Sequence, residues 1–170
     1  MTNKDLADLI FPNITKTIED YEKMYPKRDL PESAVVTRFA PSPTGFVHMG
    51  SLLASFIERK AAKDTNGIFY LRIEDTDQER KVENGIVGIT TDLKNFGITI
   101  DEGALSETEE IGAYGPYIQS KRKEIYDAFI KYFLENGMAY PCFCSKEELD
   151  EIRNAQEKRK DRIGYYGRYA

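Results

Sequence analysis

The stretch Arg38-Phe39-Ala40-Pro41-Ser42-Pro43-Thr44-Gly45-Phe46-Val47-His48-Met49-Gly50-Ser51 decides the fold. It leaves an apolar, β-branched run (Val35-Val36-Thr37), breaks through prolines and Gly45, and enters an amphipathic helical pattern. His48, the only histidine of the chain, sits at that break. A strand that turns sharply into a helix start offers the free N–H groups of the first helical turn and the positive end of the helix dipole. Both favour an anion. A second β-rich run, Ile68-Phe69-Tyr70-Leu71, closes on Arg72-Ile73-Glu74-Asp75-Thr76-Asp77. Two strands ending in polar chemistry and separated by one helix describe a βαβ unit with a site at the strands' C-terminal edge.

Outward from this unit, Ser51 to Asp64 reads as a helix that buries Leu53, Phe56, Ile57 and Ala61, stopped by Asn66-Gly67. Val82, Ile86, Ile89, Leu93 and Phe96 mark a second buried helix face, followed by a short strand at Ile98-Thr99-Ile100. Ile125, Ala128, Phe129, Tyr132 and Phe133 mark a third helix, stopped by Asn136-Gly137. This alternation predicts an α/β fold with a doubly wound, Rossmann-like parallel sheet. From Met138 the pattern changes: Ala139 to Cys144 is strand-like, and Ser145 with Glu148 forms a capping box for a further helix. Upstream, Leu6, Ile10, Ile14 and Ile18 suggest one short amphipathic helix interrupted at Pro12, then an extended connector through Pro26 and Pro31.

The 170 residues leave room for one compact domain and a small appendage, and 41% hydrophobic with 31% charged residues is ordinary for a globular chain. A net charge of −5 argues against coating nucleic acid by bulk electrostatics, although Lys121-Arg122-Lys123 and Lys158-Arg159-Lys160 could make a focused contact or simply line solvated helix faces. No apolar run has the length of a membrane span, and the charged N-terminus is not a signal peptide. The only cysteines, Cys142 and Cys144, make no disulfide framework, so a cytoplasmic protein is expected.

The ordered motifs Arg-Phe-Ala-Pro-Ser-Pro-Thr-Gly, His-Met-Gly-Ser and Leu-Arg-Ile-Glu-Asp-Thr-Asp resemble those of glutamyl-tRNA synthetases, which are class I aminoacyl-tRNA synthetases. His48-Met49-Gly50-Ser51 stands where that class has its "HIGH" signature. The resemblance continues through Gly115-Pro116-Tyr117-Ile118-Gln119-Ser120 and Tyr140-Pro141-Cys142-Phe143-Cys144. It implies a division into an N-terminal extension (1–33), the first half of a Rossmann-like catalytic domain (34–137) and the start of an inserted acceptor-stem-binding region (138–170). It implies activation of L-glutamate by ATP with Mg²⁺ to glutamyl-adenylate, then transfer to tRNA-Glu, with tRNA-Gln left open, by a monomer.

The resemblance also assigns residues. His48, Gly50 and Ser51 are the expected catalytic group. Pro41, Thr44 and Gly45 join them around ATP. Arg38, Ala40, Ser42 and Glu74 are expected around glutamate: Arg38 as a guanidinium fork for the side-chain carboxylate, Glu74 for the ammonium group. Read from the residues alone, His48 could equally be a packed core histidine and Ser51 a helix cap. Asp75 and Asp77 are expected to cap the next helix through Gln78 and Glu79. Cys142 and Cys144 make either half of a tetrahedral zinc site or, the favoured reading, a pair of buried structural cysteines. In related synthetases the other half comes about two dozen residues later, where this chain has Tyr169.

Other readings stand beside this one. Glutaminyl-tRNA synthetases resemble Pro-Glu-Pro-Asn-Gly and Asp-Asp-Thr-Asn at the corresponding motifs, unlike this chain. A shortened paralogue that glutamylates a queuosine-type base in tRNA lacks so long a lead segment. A non-catalytic nucleotide- or RNA-binding fragment is the alternative from another class. It is kept open by the absence of a Lys-Met-Ser-Lys-Ser-like loop from these residues and by an end at Tyr169-Ala170 that reads as a cut.

Overall fold

The computed structural model describes residues 1–77, 79–80 and 82–166. Two short helices, α1 (Asn3–Ile10) and α2 (Ile18–Met24), come first. Each starts on a threonine that accepts from the backbone N–H three residues on while an aspartate there returns the bond, Thr2 with Asp5 and Thr17 with Asp20. The single interrupted helix expected over residues 6–18 is therefore two helices, because Thr17 starts a new one after the break at Pro12.

Strand β1 (Val36–Phe39) pairs in parallel with β2 (Ile68–Leu71), Val36 opposite Ile68 and Phe39 opposite Leu71. Strand β2 pairs in parallel with β3 (Glu102–Ala104), and β4 (Glu110–Ile111) closes the far edge antiparallel, giving the order β1-β2-β3-β4. The crossovers are α3 (Met49–Asp64) and α4 (Gly85–Asn95). A 3-10 turn at Gln119–Arg122 leads into α5 (Lys123–Glu135), and α6 (Lys146–Arg159) follows. The expected parallel-dominated α/β sheet is present. No helix among the described residues is long and apolar enough to cross a membrane.

The core joins Phe39, Phe69 and Leu71 of the sheet to Leu52 of α3 and Ile86, Ile89 and Leu93 of α4. Alternation along the strands turns Arg38, Tyr70 and Glu102, aligned by register, to the other face. Gly67 enters β2 so close to β1 that a Cβ there would lie 1.9 Å from the Val35 carbonyl oxygen. The Asn66-Gly67 and Asn136-Gly137 stops are where the sequence puts them: Asn66 and Gly137 both take positive φ just past α3 and α5.

Several expectations are corrected. Helix α3 begins at Met49, and its sheet-facing residues are Leu52, Ser55 and Ala62, whereas Leu53, Phe56 and Ile57 are exposed. Small Ser55 and Ala62 let the helix approach the sheet, which fixes a phase that the bulkier stripe did not. Val82 and Phe96 lie outside α4 and are exposed, as are Tyr132 and Phe133 on α5, where Leu134 is buried instead. The third strand is Glu102–Ala104 rather than Ile98–Ile100. Asp101 brackets β2 by accepting the Phe69 N–H at 2.8 Å and donating its own to the Phe69 carbonyl at 2.9 Å, so pairing starts one residue later. Residues 139–144 form no strand; Pro141 lacks an N–H and no partner strand lies beside them among the described residues. The capping box at Ser145 and Glu148 is present and starts α6.

Candidate active site

Where β1 gives way to α3, a cavity of about 210 Å³ opens between Pro41, Ser42, Thr44, Gly45, His48 and Ser51, with Ile89 of α4 in its lining. The loop that shapes it is pinned from below. Pro43 is buried, and its carbonyl accepts the Val82 N–H at 2.9 Å; Gly85, at the start of α4, lets the two segments approach. His48 is the N-cap of α3: its carbonyl accepts the Leu52 N–H at 3.0 Å, while its side chain makes no capping bond and is exposed. A packed core histidine is thus excluded. Ser51 lies inside the first turn and lines the cavity, so it is not the helix cap. Gly50 is exposed, and a Cβ there would meet nothing within 4 Å. The fold itself does not demand a glycine at this point.

Beyond the strand ends the β1–β2 ladder continues, Arg72 N–H to the Phe39 carbonyl at 3.0 Å and Glu74 N–H to the Pro41 carbonyl at 2.9 Å. This brings Glu74 against the loop of the cavity. One oxygen of Glu74 receives both the Arg72 guanidinium at 3.0 Å and, more loosely, that of Arg38 at 3.5 Å. Arg38 and Glu74, expected on opposite ends of one ligand, face each other here, and Ala40, two residues after Arg38, is half-buried. Arg72 is the structural partner of Glu74. Sequence reasoning missed Glu58 of α3, whose carboxyl burial pushes up against the opposing pull of Arg38. Its position at the end of the apolar run Leu52 to Ile57, just ahead of Arg59-Lys60, reads as an ordinary solvated charge cluster and gave no signal.

The expected contact of Asp75 with Gln78 lies outside the described residues. Asp75 is buried and accepts the Ser120 N–H at 2.9 Å and the Ser120 hydroxyl at 2.7 Å. A parallel bridge between Ile73 and Ile118 brings the 3-10 turn alongside, so Gln119-Ser120 lies next to the Glu74 end of the site. Asp77 accepts from the Arg80 backbone and side chain at 3.2 and 2.6 Å, while Gln78 lies outside the described residues.

Cys142 is exposed and Cys144 half-buried, so they are not buried structural cysteines; both thiols reach the Tyr165 hydroxyl, at 3.4 and 3.8 Å. Among the described residues no group of three or more His, Cys, Asp or Glu side chains comes together, and Tyr169 lies outside them. Two thiols are short of the four ligands of a closed zinc site. The Lys121-Arg122-Lys123 cluster is locally engaged: Lys121 donates to the Glu107 carbonyl, Arg122 to the Pro116 carbonyl, and Lys123 pairs with Asp127; in the second cluster Arg159 pairs with Asp161. A larger cleft of about 390 Å³ between α4 and the β3–β4 edge has Lys94 as its one ionisable lining residue and no acid–base pair.

Residues 34–168 match the family described as tRNA synthetases class I (E and Q), catalytic domain. Curated relatives named glutamate–tRNA ligase include one from Clostridium perfringens (strain 13 / Type A), 53% identical over all of this chain and 31% of its own length. Another, from Acetivibrio thermocellus, is 50% identical over the same shares. A solved glutamate tRNA ligase from Elizabethkingia meningosepticum, in complex with its amino acid, superposes with a TM-score of 0.68 at 39% identity, covering 81% of this chain and 26% of that one. The chain spans about a third of the length of the curated relatives it matches.

Proposed function

This chain belongs to the family of class I tRNA synthetase (E and Q) catalytic domains, and we propose that it carries the glutamate-activating site of a glutamate–tRNA ligase. The parent reaction is attack of the glutamate α-carboxylate on the α-phosphorus of ATP, giving glutamyl-adenylate and pyrophosphate, then transfer of the glutamyl group to a ribose hydroxyl of tRNA. Magnesium arrives on the ATP phosphates, and no residue of this chain is assigned to it.

The observation that carries the reading is the uncommitted His48 side chain at the open N-terminus of α3, on the rim of a cavity also lined by Pro41, whose carbonyl accepts the Glu74 N–H. Phosphate oxygens at that rim meet the free N–H groups of the first turn, the imidazole and the Ser51 hydroxyl, donors set where charge develops on the transferring phosphoryl group. Pro41, Thr44 and Gly45 form the wall against the nucleotide, and the open space at Gly50 accommodates adenosine. Arg38 receives the side-chain carboxylate of glutamate, Glu74 its ammonium group, and Ser42 and Ala40 complete that end.

Titration calorimetry of the chain with a non-hydrolysable glutamyl-adenylate analogue tests this. Saturable binding is expected, weakened about tenfold by His48→Ala at unchanged melting temperature, since the exposed imidazole supports no packing. Absence of binding, or binding indifferent to His48, overturns the assignment.

A further inference from the structure

A second polar cavity, about 280 Å³, lies on the sheet face that carries Tyr70, and the segment after α2 closes one side of it. Three arginines reach it from distant parts of the chain: Arg28 ahead of β1, Arg72 just past β2, and Arg122 at the end of the 3-10 turn. Their charges are unequally matched. Arg28 is saturated. Both its terminal nitrogens meet the two Glu102 oxygens, and its guanidinium lies 3.7 Å from the Tyr114 ring centroid. The Tyr117 hydroxyl adds a 2.6 Å bond to the same carboxylate. Arg72 shares a single Glu74 oxygen with Arg38.

Arg122 donates to the Pro116 carbonyl at 2.7 Å and meets no carboxylate within ion-pair distance among the described residues. The Nε groups of Arg72 and Arg122 are both shielded from water and have no hydrogen-bond partner. A guanidinium donor buried without an acceptor costs free energy that an incoming acceptor recovers. Tyr70 and Tyr117 add aromatic wall, their ring centroids 6.3 Å apart and their planes tilted by 54°.

We infer that this cavity binds a small oxyanion, a carboxylate or phosphate group, between the guanidinium edges of Arg72 and Arg122, with the body of the ligand against the tyrosine rings. Planar donor forks suit both anions. The cavity is distinct from the one between Pro41 and Ser51, and the inference stands without the ligase reading. Tyr25 and Arg28 precede the family match at residue 34, so the site depends on the N-terminal segment. The relatives from C. perfringens and A. thermocellus align through that segment.

The test is to record the arginine Nε–H signals of the chain by proton–nitrogen NMR while titrating inorganic phosphate and, separately, malonate. Saturable shifts of the Arg72 and Arg122 signals are expected with at least one anion, and the anion that produces them identifies the group recognised. Arg122→Gln should weaken binding about tenfold or more. Val36→Trp fills the cavity from an exposed position on β1 and removes no cation. It should abolish the shifts while the Arg28 signal persists, which separates a filled cavity from a misfolded chain. Shifts that never saturate with either anion, or saturable binding that survives Val36→Trp, overturn the inference.

Discussion

Arg38 and Glu74 hold each other at 3.5 Å while each keeps over a third of its side chain in water. A half-solvated, loose ion pair of this kind contributes at most about 1 kcal/mol, so a ligand bearing both charges can replace it at little cost. Arg38→Ala is therefore expected to leave the melting temperature nearly unchanged and to remove about 3 kcal/mol of adenylate-analogue affinity. Lysine should rescue poorly, because a point charge cannot reproduce the fork. Calorimetry beside a thermal melt checks both. Gly50 makes the complementary case. With nothing within 4 Å of a Cβ, Gly50→Ala in the first turn of α3 should stabilise the fold by about 0.5–1 kcal/mol through helix propensity. The same substitution should weaken analogue binding if adenosine occupies the space. A melt that falls would return the glycine to a structural role.

At the scale of elements, two helix stops and one cap were legible, whereas other helix starts and the buried faces were not. Ser145 with Glu148 was readable as a capping box because the bonds that make one are local, three residues apart. The same Thr-x-x-Asp signal at Thr17 starts α2, and the break at Pro12 drew attention away from it. The phase of α3 is decided by the sheet it lies on. Leu52 and Leu53 are neighbours of identical chemistry, one 7% exposed and the other 60%. Leu52→Ala should cost about 2–5 kcal/mol and Leu53→Ala about 0.5 kcal/mol or less, measured by chemical denaturation. Equal losses would mean that the helix sits in another phase.

Across the whole molecule, the N-terminal segment is tied to the sheet by polar chemistry. Arg28 reaches Glu102 on β3, Tyr114 donates to the Pro26 carbonyl at 2.7 Å, and Lys131 of α5 donates to the Ile14 carbonyl at 3.1 Å. The Arg28 hydrogen bonds, against the opposing effect of burial, hold the Glu102 carboxyl below its ordinary value of 4.5. A depressed carboxylate contributes stability that is present above the ordinary value and is lost as pH falls through the folded one. Burial first, then the bond to Glu102, pushes the Tyr117 hydroxyl from 10.0 up to about 12. That contribution is present below pH 10 and is lost as pH rises toward about 12. Acid titration of stability should show a flatter acid limb in Glu102→Gln, and Tyr117→Phe a flatter alkaline one. Unchanged limbs would show that the cluster does not couple the segment to the sheet.

By itself the sequence determined the strand–turn–helix at Arg38 to Ser51, the parallel α/β class, the helix stops at Asn66-Gly67 and Asn136-Gly137, and the capping box of α6. Each rests on backbone chemistry within a few neighbouring residues: a φ that proline fixes, a positive φ that asparagine or glycine tolerates, a cap that reaches three positions. Tertiary structure alone decided that β3 is Glu102–Ala104, that Asp75 holds Ser120, that Leu52 and not Leu53 enters the core, and that Arg28 meets Glu102. The partners in these contacts lie far apart in the chain or on competing faces of one helix. Local propensity is nearly indifferent among the alternatives there, and the close fit of helix to sheet and the pairing of buried charge select one.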